Sequence, residues 1–84
     1  MPSPLFFPRD LVRVLTLEGD ERDVDSTVDP PQQPRVGEIG TIVDEVADGI
    51  YLVERSTDDG RTLWLAEFLA SELELIERGA RNEE

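Results

Sequence analysis

Five acids crowd one short stretch of the chain: Asp20, Glu21, Asp23, Asp25 and Asp29. Carboxylates at this density are suited to three kinds of chemistry. They can gather oxygens around a hard cation, and Ca2+ wants about six to eight of them. They can share protons in acid–base hydrolysis, if a cleft raises the pKa of one member of a pair. They can also present a negative surface to a basic partner, where they set association rate and specificity. The spacing argues against a standard calcium loop: Asp23-x-Asp25 supplies two positions of D-x-D-x-D-G, and the Gly and distant Glu are missing. Asp20, Asp23, Asp25 and Asp29 are therefore metal ligands only in an alternative reading, a cation-binding protein built on this stretch. The chain contains no His and no Cys. That removes the commonest general base and excludes a Ser-His-Asp triad, thiol catalysis, zinc-thiolate sites and disulfides. The expectation is a protein that is not an enzyme and needs no cofactor.

Charge bounds the partners. Twenty acids against eight bases leave a formal charge of −12 on 84 residues. A field of that sign repels nucleic-acid phosphates and anionic lipid, so neither nucleic acid nor membrane is expected as a direct partner. A basic protein partner is. No run of about 18 apolar residues is present, and the start, with Met1, Pro2, Ser3 and Pro4, lacks a basic region ahead of an apolar one. A cytoplasmic protein is expected.

The elements that must position these acids read as strands. Residues 10–17 form a first run with Val12 and Val14 on one face and Leu11, Leu15 and Leu17 on the other. Residues 18–35 change character, with six acids, three prolines and only Val24 and Val28 apolar. The composition predicts a long loop without strong order of its own. Residues 36–46, 50–55 and 62–65 are three further β-type runs, separated by Ala47-Asp48-Gly49 and Thr57-Asp58-Asp59-Gly60 turns. Gly37 suits a tight turn into the second run, and Gly40 a bulge or a close backbone approach. Residues 70–73 read as one 3₁₀ turn and residues 74–76 as a short closing strand.

Two apolar features lie outside this frame. Leu5, Phe6 and Phe7 sit in an extended Pro-rich arm, residues 1–9. They either cover the sheet of their own chain or dock on another. Trp64 and Tyr51 are the sole Trp and Tyr. Trp64 is expected to be half-buried with its N–H on a partner group. With so few aromatics, a groove for Pro-rich peptides is disfavoured against this bland reading.

The order of five short strands, a long loop after the first, hairpins after the second and third and a helical turn before the last is similar to an SH3-like barrel. The residues Gly37-x-x-Gly40-Thr41-Ile42-Val43, Tyr51-Leu52-Val53-Glu54, Asp58-Asp59-Gly60-Arg61-Thr62 and Ser71-Glu72-Leu73 resemble an uncharacterised bacterial family of short SH3-like proteins. The resemblance covers about residues 10–75. It implies an all-β, five-stranded barrel at residues 10–77 with the loop at 18–35; the polar residues 78–84 read as a flexible tail. Arg55 stands where that family's pattern carries an aromatic. A second resemblance, to SH3-like subunits of photosynthetic electron-transfer complexes, rests on Val12-Arg13-Val14 and on Ser71-Glu72-Leu73-Glu74-Leu75. It implies an accessory subunit, but a surface this acidic would repel an acidic ferredoxin.

The reading favoured at this point is a protein–protein interaction module. Its expected contact residues are Asp20, Glu21, Asp23, Asp25 and Asp29 in the loop, Phe6 and Phe7 in the arm, and Arg55 and Trp64 on the sheet.

Overall fold

Residues 5–19 and 21–79 are described by the computed structural model. Strand β1 spans Leu11–Val14, β2 Ile39–Ala47, β3 Ile50–Ser56 and β4 Thr62–Leu69; a 3₁₀ turn at Ala70–Glu72 leads into β5, Leu73–Glu77. The five strands form one antiparallel sheet in the order β4-β3-β2-β1-β5. The sheet is not closed: β4 and β5 are its two ends.

Alternation builds the core. Val12 and Val14, Tyr51 and Val53, and Trp64, Ala66 and Phe68 all point to one face, where they join Phe6, Ile42 and Leu73. Gly40 lies on that face because nothing larger fits. A Cβ there would stand 2.8 Å from Val53 Cγ1 and 2.9 Å from the Glu54 carbonyl oxygen. The close approach expected at Gly40 is therefore real. The Asp48-Gly49 turn also follows from residue type, since Gly49 has φ +74°.

Three element boundaries move from expectation by more than one residue. β1 stops at Val14 rather than reaching Leu17, because the regular register ends there: Val14 N–H donates to the Glu38 carbonyl while its own carbonyl is taken by a different residue. The Val14 carbonyl accepts from Gly37 N–H, and Leu15 N–H turns to the Glu72 carbonyl. β2 begins at Ile39 rather than Val36, since Gly37 at φ +95° is still in the turn. β4 runs on to Leu69, with Phe68 continuing the inward alternation of Trp64 and Ala66.

The 18–35 loop is more ordered than its composition predicts. Asp25 exchanges two backbone hydrogen bonds with Leu65, at 3.0 and 2.9 Å, and Thr27 N–H donates to the Thr62 carbonyl at 2.9 Å. An edge strand presents unpaired N–H and C=O groups that need partners. The loop supplies them along β4. Through residues 22–28 the side chains alternate, with Arg22, Val24, Ser26 and Val28 half-buried and Asp23, Asp25 and Thr27 exposed.

Candidate functional site

Three carboxylates fasten the irregular segments to the sheet. Glu72, almost wholly buried, accepts from Leu69 N–H and Glu18 N–H at 2.9 and 2.7 Å, and from both terminal nitrogens of Arg22 at 3.1 and 2.7 Å. The Arg22 guanidinium lies 4.6 Å over the Phe68 ring and also donates to the carbonyls of Glu67 and Glu18. Burial alone would raise the Glu72 pKa. The hydrogen bonds from Arg22, Glu18 and Leu69 outweigh it, and the carboxyl is held below the usual range. Gln33 closes the loop on itself, accepting from Arg22 N–H and donating to the Arg22 carbonyl.

Asp10 does the same for the two ends of the described chain. Its buried carboxylate accepts from Phe7 N–H, Gly79 N–H and Arg78 at 2.9, 2.9 and 2.6 Å. Burial raises its pKa, and the hydrogen bonds from Gly79, Phe7 and Arg78 bring it below the ordinary value. Glu38 is the third, accepting from Trp64 Nε1–H and Arg35 N–H, both at 3.0 Å.

The loop, so fastened, forms the wall of a groove on the outer face of β3 and β4. The groove has a volume of about 380 Å³ and is lined by Arg22, Asp23, Val24 and Asp25 from the wall and by Leu52, Leu65, Ala66 and Glu67 from the strands. Pairing fixes what faces what. Leu65 lies between Asp25 of the wall and Glu54 of β3, and Glu67 lies opposite Leu52. Leucines thus form the floor and carboxylates the rim. Among the described residues the ion pairs are Arg13–Glu74, Arg22–Glu72, Arg55–Glu38, Arg61–Asp59 and Arg78–Asp10. None of them uses Asp23, Asp25, Glu54 or Glu67. Arg22 also lines the groove but is committed to Glu72, so Asp23, Asp25 and Glu67 leave the rim with net negative charge.

The expected contact residues scatter. Asp23 and Asp25 line the groove. Glu21 and Asp29 are exposed elsewhere on the loop, and Asp20 lies outside the described residues. Phe6 is core, packed edge-on against Tyr51 with ring centroids 5.1 Å apart, and Tyr51 Oη accepts from Leu5 N–H. Phe6 therefore covers its own sheet, on the Val12 and Val14 side; residues 1–4 of the arm lie outside the described residues. Phe7 is half-buried, 5.5 Å beneath the Arg78 guanidinium. Trp64 is fully buried and not half-buried as expected, because the Glu38 carboxylate reaches in to meet its N–H. Arg55 lies opposite Trp64, donates to the Ile39 carbonyl at 2.7 Å and stands 3.7 Å from Glu38. It holds the β2 entry. No three acidic side chains among the described residues come together to hold a metal ion, and no described helix is long and apolar enough to cross a membrane.

Sequence reasoning passed over Arg22, Leu52, Leu65, Glu67 and Glu72. Two signals were present. Arg22 is the one base among the acids of residues 18–29, and Glu72 interrupts an apolar run.

The chain belongs to a family described as a domain of unknown function (DUF4926), which matches residues 23–75. The match takes in the groove wall from Asp23, strands β2 to β4, the 3₁₀ turn and most of β5, and leaves β1 outside. No curated protein and no solved structure matches the chain.

Proposed function

We propose that this protein is a non-enzymatic interaction module, an SH3-like barrel left open between β4 and β5, whose loop-walled groove docks a basic segment of a protein partner. The observation that carries this reading is the unanswered acidic rim around an apolar floor. The leucines offer contact area, and the rim selects against acidic and for basic occupants. The barrel assignment is supported by the strand order, by the long loop after β1 and by the 3₁₀ turn between β4 and β5. The absence of His and Cys from the chain supports a binding role over a catalytic one. We place it in a bacterial setting, which the resemblance supports.

The test is capture from native lysate by the wild type and by the D23N/D25N/E67Q variant, at low and high salt. Basic proteins should be retained by the wild type at low salt and lost both in the variant and at high salt. Retention of the same proteins by the variant would contradict the groove as the docking site.

A further inference from the structure

We infer that the occupant of the groove is an extended segment in which basic and large apolar residues alternate along one face. The inference rests on the basic-partner reading above and adds the conformation and pattern of the ligand.

The argument begins from cross-strand rows. One row reads Asp25, Leu65, Glu54 and the next, two residues along β4, brings Glu67 opposite Leu52. The antiparallel register of Asp25 with Leu65 sets Asp23 beside Glu67 in that second row. Apolar and acidic positions therefore alternate along β4 at a two-residue step, through Leu65, Glu67 and Leu69, while β3 makes the change once, from Leu52 to Glu54. A strand rises about 3.3 Å per residue, so each step is roughly 6.6 Å. An extended ligand repeats its same-face side chains at that spacing. Laid along β4, it meets Leu65 with one residue and Glu67 with the residue two further on. Apolar contact and charge pairing are made together only if the ligand alternates Leu-like and Arg-like residues at the same step.

A helix matches the floor less well. Its same-face side chains stand about 5–6 Å apart, short of the roughly 6.6 Å step from Leu65 to Glu67.

A second copy of this chain does not fit. Each copy carries −12, and its bases are all arginine. Five of those arginines are already committed to ion pairs within the described chain. Two such rims brought together would repel. Charge complementarity leaves a partner rich in Arg or Lys.

The test is a titration of uniformly ¹⁵N-labelled full chain with three synthetic peptides, followed by amide shifts. The first is Arg-Thr-Leu-Thr-Arg-Thr-Leu, which alternates on one face. The second has the same composition in the order Arg-Arg-Thr-Thr-Thr-Leu-Leu, and the third replaces both leucines of the first by Thr. The first should move the amides of Leu52, Leu65 and Glu67 and bind at least about tenfold more tightly than the others. Equal affinity for all three, with shifts in the groove, overturns the alternating pattern and leaves the basic-partner reading standing. Shifts confined to residues outside the groove overturn both. Absence of shifts with every peptide overturns the inference.

Discussion

Replacing Glu72 by Gln should release the groove wall. The Glu72 carboxylate accepts four hydrogen bonds, from Leu69 N–H, Glu18 N–H and two nitrogens of Arg22. Gln keeps one accepting oxygen and puts an NH2 where the other stood, facing donors. Either Glu18 N–H and one Arg22 nitrogen lose their acceptor, or Leu69 N–H and the other nitrogen do. Removing one partner of a buried pair costs about 3–5 kcal/mol when the remaining charge stays buried. Arg22 retains some exposure on a surface loop, so it can swing into water, which sets the cost at the low end, about 3 kcal/mol. For a domain of this size that corresponds to a fall in Tm of roughly 12–24 °C. Urea or thermal melts followed by circular dichroism read the loss directly. A double-mutant cycle with R22Q adds the mechanism: the double variant should be less destabilised than the sum of the singles by about 2 kcal/mol. Acid provides an independent check. Glu72 has a lowered pKa in the fold, so its contribution is complete above the unfolded value of about 4.3 and is lost as pH falls through the folded value. The gap between wild type and E72Q should close in that acid range. A loss below about 1 kcal/mol at neutral pH, or additive singles, would refute the latch.

Other substitutions probe the rest of the frame. G40A places a methyl against Val53 and the Glu54 carbonyl and should cost about 1–3 kcal/mol by the same melts. D10N weakens the hold on Phe7, Arg78 and Gly79 and should cost about 2 kcal/mol, with the deficit again closing in acid because the Asp10 pKa is lowered in the fold. D23N/D25N/E67Q removes three rim charges that meet no cation, so its Tm should equal or slightly exceed that of the wild type, within about 0.5 kcal/mol; a large loss would mean that the rim is structural.

The strands were legible because their signal is local. Thr41-Ile42-Val43 is β-branched, Asp48-Gly49 is turn chemistry, and Val12, Val14, Tyr51 and Val53 keep a period of two. The extent of β4 was less legible, since Phe68 and Leu69 sit in a run of Ala, Glu and Leu that propensity alone would allow to be a helix. The docked loop was illegible for a different reason. Its partners, Leu65 and Glu72, lie some forty to fifty residues away, and composition carries no long-range pairing. Acids of one type also divide into two roles that sequence alone does not separate. Asp10, Glu38 and Glu72 are accepting groups that hold backbone and side chains in place, whereas Asp23, Asp25 and Glu67 face the groove with their charge unspent. Leu52 and Leu65 were visible as apolar residues on the second face of their strands, but only the wall beside them makes that face a groove.

The account turns on whether the groove's charge selects its occupant. The most direct measurement is the affinity of a fluorescein-labelled Arg-Thr-Leu-Thr-Arg-Thr-Leu peptide for the wild type and for D23N/D25N/E67Q, by anisotropy across a salt series. The account expects wild-type binding that weakens steeply with salt, and a variant at least about tenfold weaker at low salt. A variant that binds as tightly as the wild type, with the same salt dependence, would contradict it.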